Sequence, residues 1–246
     1  MGFSYIYSTK ALAMKLLLFS NSTNPGEEYL SSTLPFIKGF LGAGRQKGIF
    51  IPYAAVTFSF DEYEGRVAEK FASLHHEIAS VHRLNNPQEA IEKADFIVVG
   101  GGNTFQLLKM LQDNELLTPI RKRVMDGTPY IGWSAGSNLA CPGIYTSNDM
   151  PIVQPKDFKA LNFINYQINP HYTDYVQPGH GGETRDARII EFCAANPKAV
   201  VVGIPEGTAI RVEGNQSLLM GTKSAVIFRD GAEKRWVNPG DYLSLF

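Results

Sequence analysis

Beyond Met14, short apolar runs alternate with longer stretches of helical period, and this alternation restricts the fold more than any other feature of the chain. The runs Lys15 to Phe19, Gly48 to Tyr53, Asp95 to Val99, Pro129 to Trp133 and Ala199 to Ile204 are apolar at nearly every residue, as strands covered on both faces are. Between them Tyr63, Val67, Phe71 and Leu74 recur every three or four residues, as do Leu117, Ile120 and Val124, so each segment presents one apolar face. Strands alternating with such helices predict an α/β fold, a mostly parallel sheet with helices on both faces. Glu27 to Gly44 also carries an apolar face (Leu30, Leu34, Ile37, Leu41), but Pro35 must kink that helix or delay its start. Near the C-terminus, Ala209 to Val212, Ser217 to Met220 and Ala225 to Phe228 are short strands separated by turn-forming Glu213-Gly214-Asn215 and Gly221-Thr222-Lys223, which predicts an antiparallel meander.

Hydrophobic residues make up 44% of the 246 residues and charged ones 19%, enough apolar side chain for a large core. No linker or repeat divides the chain, so residues 14–246 are expected to form a single domain, preceded by an extension, Met1 to Ala13, that should not affect the site. A formal net charge of −1 gives no attraction to nucleic acid or to an acidic membrane surface, and neither is expected as a partner. No apolar stretch approaches the roughly 20 residues a spanning helix needs. Cys141 and Cys193 lack C-x-x-C spacing, which suits a reducing cytoplasm, and no cluster has metal-ligand spacing, so no metal or cofactor is expected. Nothing in the sequence sets the oligomeric state.

Gly132-Trp133-Ser134-Ala135-Gly136 is the segment richest in chemistry, a G-x-S-x-G sequence placed directly after a strand and before the short segment Ser137 to Cys141. A serine on a sharp strand-to-helix turn crowds its backbone neighbours, so flanking glycines let the chain pass while the hydroxyl projects. Ser134 is the candidate nucleophile, and the N–H of Ala135, at the start of the helix, is placed to donate to a developing oxyanion. A second cluster, Gly100-Gly101-Gly102-Asn103, follows another strand. It can be a phosphate cradle, the other half of an oxyanion hole or a tight turn. It matches neither G-x-G-x-x-G nor the P-loop, which weakens the first of these.

A serine hydroxyl needs a base, and His171 in Asn169-Pro170-His171 is the best placed histidine, because proline keeps the chain extended after a strand. His75 and His76 lie in a helical region, His82 near an edge strand, and His180 in a glycine-rich stretch; for each, a solvated or packed side chain is the simpler reading. Two carboxylates are candidates to orient the imidazole: Asp149, in Ser147-Asn148-Asp149-Met150-Pro151, and Glu206, in Ile204-Pro205-Glu206-Gly207. Open α/β sheets bind ligands beyond the carboxyl ends of their strands, which favours Glu206 on geometry.

Taken with Leu18 to Thr23, Val99 to Leu108, Tyr130 to Gly136, Asn148 to Val153, Gln167 to His171 and Gly182 to Arg185, the chain resembles peptidase E, the α-aspartyl dipeptidase family, from about Met14 to near its C-terminus. The resemblance implies a fold like that of class I glutamine amidotransferases, with serine at the elbow where those enzymes carry cysteine. It further implies a serine peptidase cleaving Asp-Xaa dipeptides, with Ser134 as nucleophile and His171 as base. The family pattern puts the catalytic acid at Asp149, taken here as first choice with Glu206 as its rival. Gly102 and Ala135 would supply the oxyanion donors, and Arg185 would pair with the side-chain carboxylate of the substrate aspartate. Two other readings stand beside this one: a cyanophycinase-like hydrolase of β-aspartyl linkages, and a non-catalytic module of the same fold that holds a small anionic ligand.

Overall fold

The computed structural model describes residues 14–179 and 181–245; the extension Met1 to Ala13 and His180 lie outside the described residues. Strands β1 (Lys15–Phe19), β2 (Lys47–Ile51), β3 (Glu77–Ser80), β4 (Phe96–Val99) and β5 (Tyr130–Trp133) run parallel in the order β3-β2-β4-β5-β1. Beside them, β6 (Gln167–Pro170) and β7 (Val200–Ile204) pair in parallel within a second sheet. The C-terminal antiparallel strands are shared between the two sheets. β8 (Thr208–Glu213) and β9 (Gln216–Gly221) form a hairpin that extends the first sheet past β1, making seven strands. β10 (Ala225–Arg229) and β11 (Arg235–Val237) instead join β7, giving the order β11-β10-β7-β6. The run Ala199 to Ile204 thus belongs to this smaller sheet.

Apolar runs without alternation follow from burial on two faces, since successive side chains of a strand point opposite ways. Leu16 and Leu18 of β1 pack with α3 (Pro87–Lys93), α4 (Thr104–Asp113) and α5 (Leu117–Met125) through Ile91, Leu107, Leu111, Ile120 and Val124. Leu17 and Phe19 face the other way, toward α1 (Leu34–Leu41) and α2 (Phe60–Ala72), meeting Ile37, Phe40, Val67 and Phe71. The first apolar cluster continues into the second sheet through Ile168, Val202 and Ile227. The opposite face of that sheet, Val201, Val226 and Phe228, is covered by Ile189 and Cys193 of α7 (Arg185–Ala195). Each fully buried leucine or isoleucine contributes about 1.5–3 kcal/mol relative to exposure.

Pro35 delays the first helix rather than kinking it: α1 begins at Leu34 with proline in its first turn, where a missing N–H leaves no intrahelical bond unmade. Helix α2 starts at a complete capping box, with the Ser59 hydroxyl accepting from Glu62 N and the Glu62 carboxylate accepting from Ser59 N.

Candidate active site

The elbow places Ser134 between β5 and the short helix α6 (Ala135–Leu139) at φ 53° and ψ −111°, a strained conformation for a residue with a side chain. It is held there by backbone and core contacts. Ser134 N donates to Phe19 O at the end of β1, and Ser137 Oγ donates to the same carbonyl. A Cβ on Gly136 would sit 2.2 Å from Val99 O, and one on Gly132 would sit 2.6 Å from Gly136 O, so both positions need glycine for close backbone approach. Ser134 O accepts from Ser137 N and Asn138 N, so the N–H of Ala135 opens the helix without an intrahelical acceptor.

The cluster after β4 lies against this turn. A Cβ on Gly101 would come within 3.0 Å of Ser134 Cβ, and Gly102, at φ 138°, has no room for one, because Ala54 O would be 2.2 Å away. The loop is tied down on both sides: Tyr63 Oη donates to Gly101 O at 2.8 Å, and Asn103 N donates to Ala54 O at 2.8 Å.

His171 follows β6 directly, at φ 52°. Its Nε2 lies 2.9 Å from Ser134 Oγ and its Nδ1 lies 2.8 Å from Glu206 Oε1. The Glu206 contact results from strand pairing. Pro170 and Ile204 are register partners at the ends of β6 and β7, so His171, one residue beyond the first, and Glu206, two beyond the second, leave adjacent strand ends. Ser20 fastens both strand ends to β1: its Oγ accepts from His171 N at 2.8 Å and donates to Ile204 O at 2.8 Å. Asn21 Oδ1 accepts from Gly207 N at 2.9 Å, fixing the Glu206 turn.

Asp149, the first choice from the sequence for the orienting acid, is engaged at the N-terminus of α4. Its Oδ2 accepts from Thr104 N at 2.7 Å, Thr104 Oγ1 at 2.5 Å and Ser147 Oγ at 3.0 Å. Among the described residues no hydrogen bond joins it to His171. The reason is topological: the segment carrying Asp149 crosses to the N-terminus of α4, whereas Glu206 stands at the end of the strand paired with that of His171.

Arg185 opens α7 behind the N-cap Thr184, whose hydroxyl accepts from Ala187 N. It lines a cavity of about 300 Å³ with Thr173, Gln177, Glu183 and Arg188, and Thr173 lies two residues beyond His171. Partial burial, and then the neighbouring Arg188 charge, lower its pKa from the ordinary guanidinium value. Glu183 pairs with Arg188 at 3.7 Å, which leaves the Arg185 guanidinium as the cation that can meet an anion there.

Ser20, Asn21, Tyr63 and Thr104 were not assigned parts from the sequence. The one available signal was position, since Ser20-Asn21 is polar and follows an apolar strand at the end where α/β sheets bind ligands. Among the described residues one grouping has metal-ligand geometry, Asp61, Glu64 and His82, but Arg83 already pairs with both carboxylates, at 2.8 and 2.5 Å. His76 is buried, and burial lowers its pKa. No helix of the described residues is long and apolar enough to cross a membrane.

The sequence profile of peptidase family S51 matches residues 16–220. The chain is 48% identical to peptidase E of Nostoc sp. over 232 residues, covering 94% of this chain and 96% of that protein. It is 50% identical to peptidase E of Salmonella paratyphi A over 220 residues, 89% of this chain and 96% of that one. In fold it resembles the crystal structure of a peptidase from an acI-B1 actinobacterium, at a TM-score of 0.71 and 19% identity, covering 96% of this chain and 98% of that one. With the matched region spanning the elbow, the glycine loop, His171 and Glu206, the chain belongs to peptidase family S51 and is a serine-type peptidase.

Proposed function

We propose that this peptidase hydrolyses dipeptides with an N-terminal aspartate, with Ser134 as nucleophile, His171 as base and Glu206 as the acid that orients it. The observation that carries the assignment is the hydrogen-bonded chain Ser134–His171–Glu206, with contacts of 2.9 and 2.8 Å. Glu206 accepts a hydrogen bond from the Nδ1–H of His171 and so leaves the Nε2 lone pair facing the Ser134 hydroxyl, the tautomer a general base requires. As Oγ attacks the substrate carbonyl, its proton passes to Nε2, and the N–H groups of Gly102 and Ala135 receive the charge that develops on the carbonyl oxygen. The imidazolium then protonates the departing amine. Water enters by the same base and releases aspartate from the acyl-enzyme.

Arg185 supports the choice of aspartate. A guanidinium forms two parallel charge-assisted bonds to a carboxylate, and this one has a cationic neighbour and, among the described residues, no carboxylate ion-pair partner. The substrate is a small peptide, and no part of the chemistry assigned here calls for a metal or cofactor.

Hydrolysis of Asp-Leu beside Ala-Leu, Glu-Leu and N-acetyl-Asp-Leu, with EDTA present, tests the reading. Asp-Leu alone should be cleaved, Ser134→Ala should abolish cleavage, and Arg185→Ala should lower kcat/KM for Asp-Leu by about 10- to 100-fold. Folded wild-type protein that cleaves none of the four would remove the aspartyl dipeptide reading, and activity on β-aspartyl-arginine would move the substrate to that linkage.

A further inference from the structure

Asp149 stands close to the machinery yet has no place in the proton path from Ser134 to Glu206. We propose that Asp149 is a positioning residue that sets the Gly102 N–H where the developing oxyanion needs it, acting through Thr104. The inference rests on the Ser134–His171–Glu206 reading, which frees Asp149 from the imidazole.

Gly102 cannot be held by a side chain of its own, and a Cβ there would collide with Ala54 O. The direction of its N–H is therefore set by the peptides around it. Upstream, Tyr63 Oη holds Gly101 O. Downstream, Asn103 N is held by Ala54 O, Asn103 Nδ2 by Met150 O at 2.8 Å, and Thr104 by Asp149 through both its N–H and its hydroxyl. Two donors of one residue converging on one carboxylate oxygen fix the residue in angle as well as distance. The acceptor is charged and sits at the N-terminus of α4, where it is stabilised.

The segment carrying Asp149 is anchored at its other side to the histidine strand. Asn148 Nδ2 donates to Pro170 O at 2.7 Å, and Asn148 Oδ1 accepts from Asn169 Nδ2 at 2.7 Å. Asn148-Asp149 thus spans from the residue before His171 to the residue two beyond Gly102, and sets the separation between base and oxyanion donor. That separation is demanding. Oxyanion donors act within about 2.7–3.1 Å, and a displacement of about 1 Å costs on the order of 100-fold in rate.

Steady-state kinetics of the full chain with Asp149→Ala, Asp149→Asn and Glu206→Gln, on the dipeptide the wild type cleaves fastest, test the proposal. Asp149→Ala should lower kcat about 100-fold while KM stays within about threefold. The pH at which kcat/KM half-falls on the acid side should not move, because His171 keeps its partner. Asparagine can still accept both Thr104 bonds, so Asp149→Asn should recover kcat to within about tenfold of wild type. An Asp149→Asn enzyme slower than that, or with a displaced acid limb, overturns the proposal, since the carboxylate charge would then act on the imidazole. Wild-type kcat in Asp149→Ala overturns it equally. If Asp149→Ala does not fold, Asp149→Asn decides by the same criteria. Wild-type activity in Glu206→Gln is a separate result and would remove the triad assignment itself.

Discussion

In the proposed mechanism His171 serves as a base because its two ring nitrogens meet different partners, and the pairing with Glu206 makes a specific demand on that residue. A glutamine there can turn its N–H toward Nδ1 and favour the tautomer whose Nε2 carries the proton, which cannot accept one from Ser134. Glu206→Gln should accordingly reduce kcat by roughly 10³- to 10⁴-fold with little change in KM, measured on Asp-Leu. The same argument explains why two acids near one histidine are not interchangeable. The three hydrogen bonds that Asp149 receives, two of them from Thr104, fall on Oδ2 at the start of α4, and among the described residues none joins it to His171.

At the scale of the elements, the site is a meeting of strand ends from two sheets. β5 presents Ser134, β4 presents the glycine loop, and β6 and β7 present His171 and Glu206 from the smaller sheet. The joint between the sheets at this point is Ser20, which is fully buried at the end of β1. Ser20→Ala would leave His171 N and Ile204 O without that partner. The expected result is a loss of about 1–3 kcal/mol in stability, seen as a lower denaturation midpoint, together with a lower kcat as His171 loosens against Ser134. Unchanged stability and rate would mean that other contacts hold the two sheets in register.

Across the whole molecule, the core extends over both sheets, and both cysteines are buried in it. Cys141 lies beside the elbow helix with its thiol pushed up to about 12, and Cys193 lies under α7 with its thiol pushed up to about 11, in each case chiefly by burial. Near pH 8 neither forms the reactive thiolate, so the native protein should not react with a thiol reagent until it unfolds, when both should react. The sequence by itself determined the alternation of the main buried strands with covering helices, because an apolar run of five residues and an apolar face of helical period are local properties, whereas the short β3, α3 and β11 carry no such pattern. It also determined the elbow, whose glycines and serine are adjacent in the chain, and the candidate base, which one proline and one strand single out. Glu27 to Gly44 was legible as a helix, with the start left to Pro35. Only the tertiary structure decided that Ala199 to Ile204 lies in a second sheet, that the C-terminal strands divide between the two, and which acid faces His171. Each of those depends on which strand pairs with which. Glu206 reaches the imidazole from 35 residues away because β6 and β7 are neighbours, while Asp149, 22 residues away in sequence, is drawn to the end of α4. Separation along the chain does not decide which carboxylate meets the imidazole; hydrogen bonding between strands brings Glu206 to the histidine.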